Sequence, residues 1–123
     1  MDKNVVNWFE IPVKDLERAK KFYHSLLGVA MQDMQMPGME MAAFQWLQSG
    51  ENAAGALVKS EHHVPSTEGT TVYFACSDVN EQLAKVEELG GKAIVAKTSI
   101  GEFGFFAHVI DTEGNKVALH SEK

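Results

Sequence analysis

The chain has 123 residues, a formal net charge of −6 at pH 7 and a pI near 5.3. That length predicts one domain, and the acidic balance with dispersed Lys and Arg excludes the basic stripe of a nucleic-acid surface and a polybasic membrane patch. Apolar runs are too short to span a bilayer, no signal-peptide pattern opens the chain, and the one cysteine, Cys76, has no disulfide partner, so a reducing, cytoplasmic setting is expected.

Residues 5–12 alternate as a strand, with Val6, Trp8 and Glu10 on one face and Val5, Asn7, Phe9 and Ile11 on the other. Asp15 is a good N-cap for the helix that follows. Leu16, Ala19, Phe22, Tyr23, Leu26 and Leu27 form its apolar stripe, Glu17, Arg18, Lys20, Lys21 and His24 its wet side, and Gly28 its stop. Residues 29–35 read as a strand that turns at Pro37-Gly38. Met31, Met34, Met36, Met39 and Met41 crowd this hairpin, and adaptable core filler explains them better than a plastic wall around a ligand.

Strands are expected over 41–47 and 53–58, then a surface connection over 59–69. Within it His62 and His63 are adjacent, point to opposite sides of extended chain and do not converge on a metal. A strand over 70–77 places Cys76 as a small packed residue. Asp78 caps a helix over 79–89, with Glu81 completing a capping-box pattern and Gly90-Gly91 ending it. A strand over 92–97, a glycine-punctuated loop over 98–104, a strand over 105–110, a hairpin loop over 111–115 and a strand over 116–120 complete the chain. The acidic residues of that last loop are explained by a turn.

The two halves repeat one plan. Asp78 lies 63 residues after Asp15, Gly91 lies 63 after Gly28, and residues 44–58 align with 106–120 at a step of 62. Strand, capped helix and three short strands recur, so the fold class is α+β with a duplicated βαβββ unit. Each half is too small to be comfortable alone, so the halves are expected to share a core.

The segments IPVKDLERAKKFYHSLLG (11–28), SDVNEQLAKVEELGG (77–91) and DTEGNKVALH (111–120), set in this duplicated plan, resemble the vicinal oxygen chelate superfamily of glyoxalase I, bleomycin- and fosfomycin-resistance proteins and extradiol dioxygenases. FEIPVKD, GALVK at 55–59 and IGEFGFFAHVIDTEGN at 100–115 look most like a branch described as related to lactoylglutathione lyase. The resemblance implies one glyoxalase-like domain over 1–123, with module one at about 4–59 and module two at about 69–122. The tandem modules would form a curled mixed-sheet cup with helices on the outer face. It also implies a homodimer, with modules paired either within one chain or between two.

Metal-using members carry ligands on the first and last strands of each module, the first-strand ligand seven residues before the capping aspartate. Those positions here are Trp8 and Thr71, and the last-strand positions align with Ala56 and Ala118. None is a good ligand, so no metal or other cofactor is expected. Two residues further along the same strands stand Glu10, Val58, Tyr73 and His120, facing the same way. Glu10, His120 and Tyr73 are the candidate catalytic set, as acid and base in a partly desolvated pocket; a structural Glu10–His120 pair closing a strand seam is the competing account. Trp8, Thr71, Phe44, Trp46 and Phe106 are candidate ligand-binding residues, and the face taken by His108 stays open. Two functions follow. One is a metal-independent lyase- or isomerase-type enzyme on a small carbonyl or hydroxy compound. The other is a protein that sequesters an antibiotic or metabolite in an aromatic groove, where the acidic charge suits a cationic guest.

Overall fold

The structure is a computed structural model and describes residues 4–47 and 50–123. Strand β1 (Trp8–Pro12) leads into helix α1 (Leu16–Leu27), whose first turn is capped as its sequence demands: the Asp15 carboxylate accepts from the Arg18 N–H at 3.0 Å. Gly28 ends the helix at φ 68°, in left-handed backbone that only glycine adopts without strain, and donates its N–H to the His24 carbonyl at 2.9 Å. Strands β2 (Met31–Met36), β3 (Met39–Phe44) and β4 (Ala54–Lys59) complete the unit. The sheet order is β1-β4-β3-β2, with β1 parallel to β4 and the other pairs antiparallel.

The second unit repeats it. Strand β5 (Tyr73–Ala75), helix α2 (Val79–Val86) and strands β6 (Lys92–Ser99), β7 (Phe105–Ile110) and β8 (Lys116–Ser121) form a sheet in the order β5-β8-β7-β6, with β5 parallel to β8. The repeat extends to register. Glu10 pairs with Ala56 in the first sheet and Tyr73 with Ala118 in the second, the same two positions of each unit. The sheets do not close into a barrel but leave an open cup, and among the described residues no helix is long and apolar enough to cross a membrane.

Both helices pack on one side and give the halves a single core. Ile11, Phe22, Tyr23, Leu26, Phe44 and Leu57 from the first unit meet Phe74, Val79, Val86, Val109 and Leu119 from the second. At its centre four rings cross the boundary: Phe9, Phe44, Tyr23 and Phe74 have centroids 5.5–6.0 Å apart. Edge-to-face and tilted pairs at such spacing each add about 0.5–1.5 kcal/mol beyond the area they bury. On the opposite face of the first sheet, Met41, Ala56 and Val58 are buried beneath Trp8, Met34, Met39 and Ala43, so most of the methionines do fill a core.

Four expectations are corrected. Strand β5 has three residues, not eight: its ladder with β8 runs from Tyr73 to Ala75, flanked by single bonds from the Ala118 N–H to the Val72 carbonyl at 2.9 Å and from the Cys76 N–H to the His120 carbonyl at 2.7 Å. Helix α2 stops at Val86, and the chain turns back when Gly91 donates to the Val86 carbonyl at 2.9 Å. The capping box does not form: the Asp78 carboxylate accepts from the Asn80 N–H and from Lys97 Nζ, both at 3.0 Å. The loop at 111–115 is more than a turn. Asp111, Glu113 and Asn115 are buried and grip the other unit. Tyr23 Oη donates to Asp111 at 2.6 Å, Asn115 Nδ2 donates to the Pro12 carbonyl at 2.7 Å, and Glu113 accepts from the N–H groups of Lys14 and Asp15 and from both arms of the Arg18 guanidinium. Arg18, expected on the wet side, is thus the outer half of a bidentate ion pair with a fully buried carboxylate.

Candidate functional site

The parallel β1/β4 and β5/β8 pairs hold Trp8, Ala56 and Ala118, three of the four positions that the resemblance aligns with metal ligands, and the fourth, Thr71, precedes β5. Ala56 and Ala118 are fully buried methyl groups. Trp8 turns its indole N–H to Glu10 Oε2 at 3.3 Å and meets Trp46 edge-on at 6.5 Å. Thr71 lies in a cavity wall. Among the described residues no three His, Cys, Asp or Glu side chains converge. The donor set does not fit a divalent ion.

Between the ends of β1 and β4 and the strand β5 lies a cavity of about 740 Å³, within the ordinary range for a small-molecule site. Its wall holds Phe9, Phe44, Thr71, Tyr73, Phe74 and His120, with Val6 at its edge. Gly55 shapes this wall. A Cβ there would come 2.5 Å from the Phe9 ring, so the glycine lets the ring lie flat on β4.

Four of the predicted site residues therefore share one cavity: Tyr73, His120, Thr71 and Phe44. His120 Nε2 donates to the Phe103 carbonyl at 2.6 Å, which leaves Nδ1 as the free acceptor of the neutral ring. Tyr73 Oη lies 3.5 Å from His108 Nε2, and the His108 ring stacks edge-on with Phe106 at 5.2 Å. His108 thus takes the cup face, in register with Ala118. Partial burial, and then the charge of Lys116, lower its pKa and favour the neutral ring.

Glu10, Trp8, Trp46 and Phe106 are not in that wall. Among the described residues no hydrogen bond joins Glu10 to His120 or Tyr73; its carboxylate goes instead to His63 Nε2 at 3.1 Å and to Trp8. Sequence reasoning placed His63 on the surface, and no local signal ties it to Glu10, 53 residues earlier. Cys76 is half-buried, and burial raises its thiol pKa, as expected of a packed residue and not of a nucleophile.

Comparison with known proteins agrees with this architecture. The family profile of the bleomycin resistance protein-like N-terminal region matches residues 6–45. A glyoxylase-like domain-containing protein of Didymella fabae is 30% identical over 126 residues, covering 93% of this chain and 91% of that one. The CFP32 protein of Mycobacterium bovis is 31% identical over 117 residues, covering 92% of this chain; the chain spans 44% of its length. Among solved structures, a glyoxalase I variant from Zea mays superposes with a TM-score of 0.71 at 23% identity, over 94% of this chain and 45% of the maize chain. TnmS3, an antibiotic binding protein from Streptomyces sp. CB03234, superposes with a TM-score of 0.69 at 21% identity, over 100% and 99%. These two structures share the fold. The chain belongs to the glyoxalase and bleomycin-resistance, or vicinal oxygen chelate, superfamily.

Proposed function

We propose that this chain is a metal-independent small-molecule-binding protein of the bleomycin-resistance type, which holds an aromatic or extended apolar guest in the cavity of about 740 Å³. The observation that carries this reading is the pairing of that ring-lined cavity with Ala56, Ala118, Trp8 and Thr71 at the family's ligand positions. Tyr73 supplies an exposed ring at the mouth, and the net charge of −6 draws a cationic guest. TnmS3, which shares the fold, is described as an antibiotic binding protein. A homodimer agrees with the exposed apolar rim: Val5, Val6, Trp46 and Leu47 are all more than half exposed.

A second reading has its own support. His120 and Tyr73 face one cavity, and the free Nδ1 of His120 is a base within it. That arrangement suits proton transfer on a small carbonyl or hydroxy compound, the lyase- or isomerase-type chemistry of this superfamily.

The test is native mass spectrometry with metal analysis on untagged protein, followed by thermal-shift titration with a panel of cationic aromatic antibiotics. The expected result is a guest bound one per cavity, recovered unchanged, with affinity at least tenfold weaker in Tyr73→Ala and indifferent to chelator. Binding that vanishes with chelator and returns with a divalent ion overturns metal independence. Conversion of the guest that is lost in His120→Ala favours the enzyme.

A further inference from the structure

The connection after β4 builds a second constellation, away from the cavity described above. Ser60 opens a tight turn in which its carbonyl accepts the His63 N–H at 3.3 Å and its Oγ accepts the His62 N–H at 3.1 Å. The turn sets Ser60 Oγ 2.7 Å from His63 Nδ1. The other ring nitrogen, Nε2, lies 3.1 Å from Glu10 Oε1 on β1, and Trp8 Nε1 holds the second oxygen of that carboxylate at 3.3 Å.

The hydrogen-bond network orders the protons. An ionised Glu10 only accepts, so Nε2 carries the hydrogen. In the neutral ring Nδ1 is then bare, and the Ser60 hydroxyl must donate to it. Turn geometry accounts for the Ser60–His63 contact but not for the contact to Glu10, which comes from β1, the strand paired with β4. Hydroxyl, imidazole and carboxylate in this order are the parts of an activated serine, which is recognised by geometry and roles and not by chain position. Ser60 and His63 also open on a cavity of about 510 Å³ walled by Lys14, Lys59, Met36 and Met39. Among the described residues Lys14 makes no ion pair.

We propose that Ser60, His63 and Glu10 form an acyl-transfer site for small carboxylic esters. Ser60 Oγ attacks the ester carbonyl as its proton passes to His63 Nδ1. The tetrahedral intermediate expels the alcohol, which takes that proton, and leaves the acyl group on Ser60. Water then attacks the acyl carbonyl and gives a proton to Nδ1; collapse releases the carboxylic acid and returns the proton to Oγ. Glu10 is a positioning residue that holds the Nε2–H tautomer and stabilises the imidazolium. Met36 and Met39 line the cavity that receives the acyl chain, with Lys14, Lys59, Glu40 and Glu61 in the same wall.

An alkyl fluorophosphonate tests this directly, because the same proton transfer forms the Ser60 O–P bond and expels fluoride. The expected result is a single adduct mapped to Ser60 by peptide mass spectrometry, absent in Ser60→Ala and formed at least tenfold more slowly in His63→Ala. His62→Ala, which removes the neighbouring exposed imidazole, leaves the rate unchanged. Glu10→Gln slows labelling and changes its pH profile, and Glu10→Asp restores part of the rate, which a merely structural carboxylate would not do. Wild-type protein with native circular dichroism that takes no adduct at Ser60, or one whose labelling is unaffected by His63→Ala, overturns the proposal. Failure here leaves the guest-binding reading of the larger cavity untouched, since that reading is scored by antibiotic binding.

Discussion

Glu113 carries more of the architecture than any other polar side chain described. Burial alone would raise its pKa, but the Arg18 guanidinium, the Asp15 N–H, the Thr112 hydroxyl and the Lys14 N–H together outweigh it and hold the carboxyl at about 2, below its ordinary 4.5. A carboxyl depressed on folding contributes stability that is fully present above its unfolded pKa and is lost as pH falls from about 4.5 to about 2. Glu113→Gln should therefore cost about 2–3 kcal/mol at neutral pH, because it leaves two backbone N–H groups and Arg18 poorly matched. The same variant should flatten the acid limb of the stability curve, as read by urea unfolding at pH 7, 4 and 2.5. None of this was legible in the sequence. Helical periodicity put Arg18 on the polar side correctly, yet periodicity cannot report a carboxylate 95 residues away. For the same reason Glu10 was not paired with His63, 53 residues later, which was read as part of a surface connection.

Helix α1 was legible almost to the residue, because its signals are local: Asp15 at the N-cap, a 3.6-residue stripe and a left-handed Gly28. Strand β5 was not. Its run of Thr, Val, Tyr and Phe has strand propensity throughout, but pairing exists only where β8 lies alongside. Where that partner ends the ladder ends, and that decision is tertiary. Gly55 in β4 links the element to the site. Gly55→Ala should displace the Phe9 ring, cost about 1–3 kcal/mol by overpacking and reshape the large cavity. A crystal structure of the variant and its thermal midpoint check both effects. An unchanged Phe9 rotamer with full stability would show that the ring is not held by this glycine.

At the scale of the molecule the two units share one core. They share the ring cluster of Phe9, Phe44, Tyr23 and Phe74, and the 111–115 hairpin of the second unit bonds the start of α1 in the first. Both tryptophans, Trp8 and Trp46, belong to the first unit. Tryptophan fluorescence therefore follows that unit, while far-ultraviolet circular dichroism follows both. The two probes should give coincident denaturant transitions in the wild type and should separate in Glu113→Gln, where the clasp between units is weakened. The duplication and the cup were readable in advance, because each follows from offsets and residue types along the chain. The division of the candidate residues was not. Tyr73, His120, Thr71 and Phe44 went to one cavity and Glu10 to another neighbourhood, and which side chains share a hollow depends on how two sheets lean together.

The hairpin clasp also has a consequence for translation. The N–H groups of Lys14 and Asp15 wait for an acceptor 98–99 residues downstream. At about 5–20 residues per second a ribosome needs roughly 5–20 s to make that stretch. Throughout that interval the nascent first unit has the Lys14 and Asp15 N–H groups without the Glu113 carboxylate and a Tyr23 hydroxyl without Asp111. A product truncated before residue 111 keeps the whole first sheet yet leaves the Lys14 and Asp15 N–H groups without their acceptor, and it presents to proteases a half that the 111–115 hairpin completes.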